Sequence, residues 1–159
     1  MKVLLSAVGL AKAGPERDLF EQYRARLNWP FDLREVDDKK PMTGPERMRR
    51  EGRLLLDTVP PGAVVVVLDE RGKTLDSEAL AARLGQWRDQ SVPTIAFLIG
   101  GADGHGADVV ARADLLLSLG AMTWPHMLVR ALIAEQLYRC DCILSGHPYH
   151  RGRARNFDD

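Results

Sequence analysis

The chain has 159 residues, of which 45% are hydrophobic and 28% charged, with 22 basic and 22 acidic side chains giving a formal net charge of zero. This length fits one domain that buries a core without a metal or a disulfide, and the composition excludes an intrinsically disordered chain. Zero net charge excludes a whole-protein field toward nucleic acid or an anionic membrane, so any polyanion must be met by a local patch.

The two cysteines, Cys140 and Cys142, are one residue apart. That spacing makes a poor structural disulfide and points to a reducing compartment, the cytoplasm. The longest aliphatic run, residues 63–68, falls far short of the roughly 20 residues of a membrane-spanning helix, so no membrane partner is expected. Lys2 before the apolar residues 3–10 and Ala11-Lys12-Ala13 faintly echoes a secretory signal. The short charged region and the lack of a disulfide framework favour a buried first strand.

In chain order, residues 3–8 form an apolar β-rich run closed by Gly9. Gly14-Pro15 then opens a helix with Leu19, Tyr23 and Leu27 at intervals of four. Residues 31–36 begin with the alternation of a half-exposed strand, and residues 37–44 read as a loop. Pro45 restarts a helix that Pro60-Pro61-Gly62 stops; its arginines Arg47, Arg49, Arg50 and Arg53, interrupted by Glu46 and Glu51, read as a solvated face. The continuous aliphatic run 64–68 predicts a central strand covered on both faces, followed by a polar loop over residues 69–73. Asp76 or Ser77 caps the next helix, whose buried face carries Leu80, Leu84 and Trp87. Residues 94–99 form a strand running into Gly100-Gly101-Ala102-Asp103-Gly104, a short helix follows around Val109, Val110 and Ala113, and residues 115–119 form another strand. Pro125 stands at the first turn of a last helix with Leu128, Leu132, Ile133, Leu137 and Cys140 on one side.

Strands alternating with helices predict an α/β fold, a mainly parallel sheet with helices on both faces, in one domain over residues 1–159. Ligands of such sheets bind beyond the carboxyl ends of strands, which singles out the loops after Leu68, Ile99 and Leu119. The glycine cluster at 100–104 lets a ligand approach the backbone but lacks the G-x-G-x-x-G spacing of a dinucleotide fold, which counts against a nicotinamide or nucleotide-dependent oxidoreductase. Residues 119–126 form a short apolar loop whose amides and carbonyls can read the edge of a flat heteroaromatic ring; as a plain helix entry, Thr123 would cap and Pro125 would take the first turn. His147-Pro148-Tyr149-His150-Arg151-Gly152-Arg153-Ala154-Arg155 is basic with no acid, either an RNA-contact tail or a solvated terminus. Cys140, Cys142, His147 and His150 offer four zinc-type ligands, but the one-residue cysteine gap and the buried helix position of Cys140 argue against a metal.

These segments together resemble the RlmH family, the small methyltransferases of large-subunit ribosomal RNA within the SPOUT superfamily. The resemblance is carried by residues 3–9, Leu68-Asp69-Glu70-Arg71-Gly72-Lys73, residues 97–104, Leu117-Ser118-Leu119-Gly120-Ala121-Met122-Thr123-Trp124-Pro125-His126, Leu128-Val129-Arg130, Glu135-Gln136-Leu137-Tyr138-Arg139 and His147-Pro148-Tyr149-His150-Arg151. It implies a SPOUT-type α/β knot with a C-terminal trefoil knot, a homodimer, S-adenosylmethionine as methyl donor, and methylation at N3 of a pseudouridine in 23S ribosomal RNA on the assembled 70S ribosome. It further implies that Leu68, Gly100, Leu119, Gly120, Ala121, Met122, Thr123 and Trp124 line the cofactor pocket. The tail from about residue 147 stands on the substrate side and reaches toward the partner subunit's cofactor, with Tyr149, His150 and Arg151 catalytic and Arg130, Arg139 and His147 binding substrate. In this chemistry the protein supplies an in-line pose and removal of the N3 proton, and His150, a histidine being the side-chain type whose unperturbed pKa lies near neutrality, is the expected proton acceptor. Residues 152–159 extend past the family's usual ending, and His105 follows the glycine loop with no role that the resemblance assigns. A non-catalytic RNA-binding module of the ribosome is the competing function.

Overall fold

A computed structural model describes residues 1–152; residues 153–159, with Arg153 and Arg155, lie outside the described part. Ten elements alternate along it: β1 (Lys2–Val8), α1 (Pro15–Arg26), β2 (Phe31–Val36), α2 (Gly44–Asp57), β3 (Val64–Thr74), α3 (Ser77–Asp89), β4 (Thr94–Ile99), α4 (Ala107–Arg112), β5 (Leu115–Ser118) and α5 (His126–Ser145). The strands form one all-parallel sheet in the order β2-β1-β4-β3-β5. The predicted α/β class and parallel sheet are therefore present, as is a layer of helices on each face.

The two layers follow from side-chain alternation along the strands. Val3, Leu5, Ala7, Val66, Ile95, Phe97 and Ile99 point to one side and pack with Phe20 of α1, Leu80, Leu84 and Trp87 of α3, and Ile133, Leu137 and Cys140 of α5. Val8, Val65, Val67 and Leu98 point to the other and meet Leu55 of α2 and Val109 of α4. β4 sits mid-sheet, and all six of its residues are buried. On α5, Leu128 and Leu132 are only half-buried, because Ala131 and Ala134 share the buried stripe and let the helix sit close to the sheet.

Local chemistry sets the helix ends. Asp76 caps α3 by accepting the Ala79 N–H at 2.7 Å, and Thr43 with Glu46 forms a reciprocal capping box on α2. Thr123 does not cap α5: Pro125 occupies the cap position, and no side chain there takes an N–H. Gly146, in the left-handed region at φ 74°, ends α5, and the His147 N–H returns to the Cys142 carbonyl at 2.9 Å. The tail after it is thereby folded back toward α5.

Residues 69–73, expected as a loop, belong to β3, which continues to Thr74. Leu68 pairs with Leu117 of β5, the segment bulges, and Lys73 then pairs with the same Leu117 and Thr74 with Ser118. The polar composition suits the bulge, which Asp69 stabilises by accepting the Arg71 N–H at 2.9 Å and its guanidinium at 2.8 and 2.7 Å. Past the bulge the neighbouring strand still offers ladder partners, a non-local opportunity that local polarity does not encode. Gly72 permits the return, since a Cβ there would lie 2.6 Å from the Leu116 carbonyl carbon and oxygen. Gly72→Ala therefore forces the β5 backbone to move and should cost about 1–3 kcal/mol. At ~2–4 °C per kcal/mol for a chain of this size, scanning calorimetry should show a melting temperature several degrees below wild type.

Candidate active site

The bulge of β3 and the carboxyl ends of β4 and β5 meet at one cleft of about 1010 Å³. Leu68 comes from β3, Gly100 follows β4, and Leu119, Gly120, Met122, Thr123 and Trp124 come from the loop between β5 and α5; all line it, while Ala121 does not. Its apolar wall is made by Leu68, Ile99, Leu117, Leu119 and Val129. A Cβ on Gly100 would sit 3.1 Å from His105 Cε1 and 3.2 Å from the Gly104 carbonyl, so only a bare backbone leaves this wall open. The third loop is pinned from within: the Gly120 N–H donates to Ser118 Oγ at 3.1 Å, and the Trp124 indole N–H to the Leu119 carbonyl at 3.4 Å.

The charged lining is unequal. Asp69, Glu70 and Asp103 face one guanidinium, Arg71, whose bond to Asp69 holds that carboxyl below its ordinary pKa. His105, only 7% exposed, is pushed below its ordinary pKa by burial, with the Asp69 charge opposing, and its Nε2 has no hydrogen-bond partner. The cleft thus combines an apolar wall, a neutral imidazole and a negative rim. Glu51, 6% exposed, lies beneath the glycine loop where a Cβ on Gly101 would overlap its carboxylate; burial raises its pKa against the pull of Arg47, and its Oε2 is unpartnered.

A groove of about 1020 Å³ adjoins the cleft and shares Leu117, Leu119, Gly120 and Trp124 with it. His150, Arg151 and Arg139 line this groove, bringing part of the basic tail beside the cleft of its own chain. Arg139 donates to Glu135 and lies with Nη1 3.3 Å from His150 Nδ1, and His150 Nε2 is 3.4 Å from Glu78 Oε1. Tyr149 turns the other way: its hydroxyl donates to Glu135 at 3.0 Å, and its ring packs on Tyr138 and under the Arg139 guanidinium. Burial, with bonds to Tyr23 and Glu135, raises the Tyr149 pKa, so it stands as a neutral phenol. His147 is exposed, and its Nδ1 accepts the Tyr149 N–H at 3.2 Å.

Arg130 lies apart from both, 2% exposed. Its guanidinium meets Glu35 at 2.5 Å and the Gly9 and Val8 carbonyls at 2.8 and 3.3 Å, while His126 Nε2 lies 2.5 Å from the same Val8 carbonyl. Burial works against the Glu35 charge, but Arg130 and the Ala11 N–H hold its pKa below the ordinary carboxylate value. Arg130 also floors a separate cavity of about 640 Å³ beside Lys12 and Arg17. Cys140 packs in the core with its thiol pKa pushed up to about 12 by burial, and among the described residues no three His, Cys, Asp or Glu side chains gather as metal ligands. No helix among the described residues is long and apolar enough to cross a membrane.

Sequence reasoning gave no individual role to Glu135, Glu78, Glu51, Glu35 or His126. Glu135 was within reach, being four residues before Arg139 on one helix face. Glu78, Glu35 and Glu51 meet their neighbours only through the fold.

A parallel α/β sheet in which the β3 bulge and the loops after β4 and β5 close on one apolar, acid-rimmed cleft defines a protein that binds a small ligand there. The sequence profile of the family described as "Predicted SPOUT methyltransferase" matches residues 1–150. The chain is 61% identical over 151 residues to "Ribosomal RNA large subunit methyltransferase H" of Rhodospirillum centenum, covering 95% of this chain and 99% of that protein, and 56% identical to the protein of the same name from Rhodospirillum rubrum over the same shares. A solved structure of the putative methyltransferase Lpg2936 from Legionella pneumophila, in complex with SAM, aligns with TM-score 0.48 and 15% identity over 91% of this chain and 66% of that one. The chain belongs to the SPOUT methyltransferase family.

The lowered pKa of His105 sets a sign for stability. The unfolded chain takes up the His105 proton first as pH falls through the ordinary value of 6.5, so the stability held above that value is lost on acidification toward the lowered one. Melting curves from about pH 7.5 to about pH 5, a window above the ordinary carboxylate range, should fall more steeply for wild type than for His105→Gln.

Proposed function

We propose that the chain is an S-adenosylmethionine-dependent methyltransferase that methylates N3 of a pseudouridine in 23S ribosomal RNA on the assembled 70S ribosome, in the cytoplasm and as a homodimer. The observation that carries this reading is the convergence of Leu68, Gly100 and the loop 119–124 on one cleft whose wall continues into the groove bearing His150 and Arg151. The residues present fit the donor. An adenine ring suits the apolar wall, and a cationic sulfonium suits a lining of three carboxylates with one guanidinium and a neutral His105. When bound, S-adenosylmethionine supplies an already electrophilic methyl carbon.

The chain's own residues then bind and orient. Leu68, Leu119, Gly120, Met122, Thr123 and Trp124 enclose the donor, with Gly100 leaving its wall open. Arg151 and Arg139 face the substrate side and suit phosphate or the imide oxygens. His147, exposed beside them, suits an RNA contact. Tyr149, tied to Glu135, holds the tail on α5. Arg130, its guanidinium occupied within the protein, acts as a positioning residue for the loop that precedes it. We propose that the exposed Met122 and Trp124 at the cleft mouth, 78% and 41% exposed, form the face that a second copy covers, and that the trefoil knot of the family is present.

Isothermal calorimetry should show S-adenosylmethionine, and not NAD, binding the protein, followed by transfer of labelled methyl to the 23S RNA of 70S ribosomes and less to separated subunits. Gly100→Val should raise the dissociation constant for the donor at least about tenfold, since the side chain meets His105 and Gly104. RNA binding without methyl transfer would leave a non-catalytic module, and a response to NAD alone would leave an oxidoreductase.

A further inference from the structure

We infer that His150 serves the methyl-transfer site as a neutral Nε2–H donor, with Arg139 and Glu135 as the positioning residues that fix its tautomer; this rests on the methyltransferase reading above. Arg139 Nη1 lies 3.3 Å from His150 Nδ1. A guanidinium has donors only, so Nδ1 must present its lone pair, and the one proton of the neutral ring then sits on Nε2. The other side of the ring agrees: Nε2 lies 3.4 Å from Glu78 Oε1, an acceptor when ionised. A ring protonated at both nitrogens would instead aim an N–H at the guanidinium. Arg139 is held in turn by Glu135, which also accepts from the Tyr149 hydroxyl at 3.0 Å and the Gln136 amide at 2.8 Å.

A general base needs a free lone pair within reach of the proton it takes. Neither ring nitrogen of His150 has one, because Arg139 occupies the first and a hydrogen the second. The imide proton of the substrate therefore leaves to water: the N3–H bond breaks, its electron pair stays on N3, and the charge spreads onto the two flanking carbonyl oxygens. Glu78, with its side chain 64% exposed, turns into solvent and releases Nε2–H, which donates to one of those oxygens. His150 neither gains nor loses a proton in this step.

Single-turnover methylation of 70S ribosomes by His150→Ala and His150→Gln discriminates the two roles, because the glutamine amide places an N–H donor near the position of Nε2 but cannot act as a base. His150→Ala should lower the rate about 10²–10³-fold, the usual loss for one charge-stabilising donor. His150→Gln should recover most of that, to within about tenfold of wild type. Nitrogen-15 spectra of the histidine-labelled wild type, free of RNA, should show His150 with a bare Nδ1 and a protonated Nε2. An active wild type whose His150→Gln variant is as impaired as His150→Ala overturns this inference alone, as does a proton on Nδ1. A wild type that transfers no methyl group overturns the functional reading and this inference with it.

Discussion

The structure depends on the grip that the first turns of α5 take on the carboxyl end of β1. His126 and Arg130, four residues apart on one helix face, both reach the Val8 carbonyl, and Arg130 adds the Gly9 carbonyl and the Glu35 carboxylate at the end of β2. This buried guanidinium makes three hydrogen bonds, one of them to a carboxylate, while its Nε–H has no partner; with one partner removed, a buried ion pair of this kind costs on the order of 3–5 kcal/mol. The consequence is positional. The loop 119–125 ends where α5 begins, so fixing α5 against β1 fixes one wall of a cleft whose other walls come from β3 and β4. Gly146 does the same at the far end, returning the tail toward α5.

The cleft and the groove beside it differ in charge. Asp69, Glu70 and Asp103 give the cleft a negative rim, while His105 is kept neutral by burial. That combination favours a small cation over a phosphate-bearing cofactor, in agreement with the missing glycine fingerprint after β1. The groove is mixed in charge: Arg139 and Arg151 line it together with Asp76, Glu78 and Glu135, and Arg139 is paired with Glu135.

Much of this was legible in the residues. The aliphatic runs 3–8, 64–68 and 94–99, too continuous for half-exposed strands, announce a parallel sheet covered on both faces, and the strand-end rule then points to Leu68, Gly100 and Leu119. What stayed hidden is non-local. The continuation of β3 through Lys73 depends on β5 being beside it, and Thr123, although a good capping residue by type, is displaced from that role by Pro125. The family resemblance alone places Arg130 among the substrate contacts, and its sequence surroundings do not reveal the partner that holds it. Its acid, Glu35, lies 95 residues earlier. The contact between Glu78 and His150 spans 72 residues, and its effect on the tautomer emerges only with Arg139 on the opposite nitrogen.

Hydrogen exchange of the wild-type protein, with and without saturating S-adenosylmethionine, tests the location of the cleft most directly. Slowed amide exchange confined to residues 68–71, 100–106 and 118–124, three segments distant in the chain, is the expected result. Protection centred instead on residues 10–17, beside the cavity that Arg130 floors, or no protection at saturation, would contradict it.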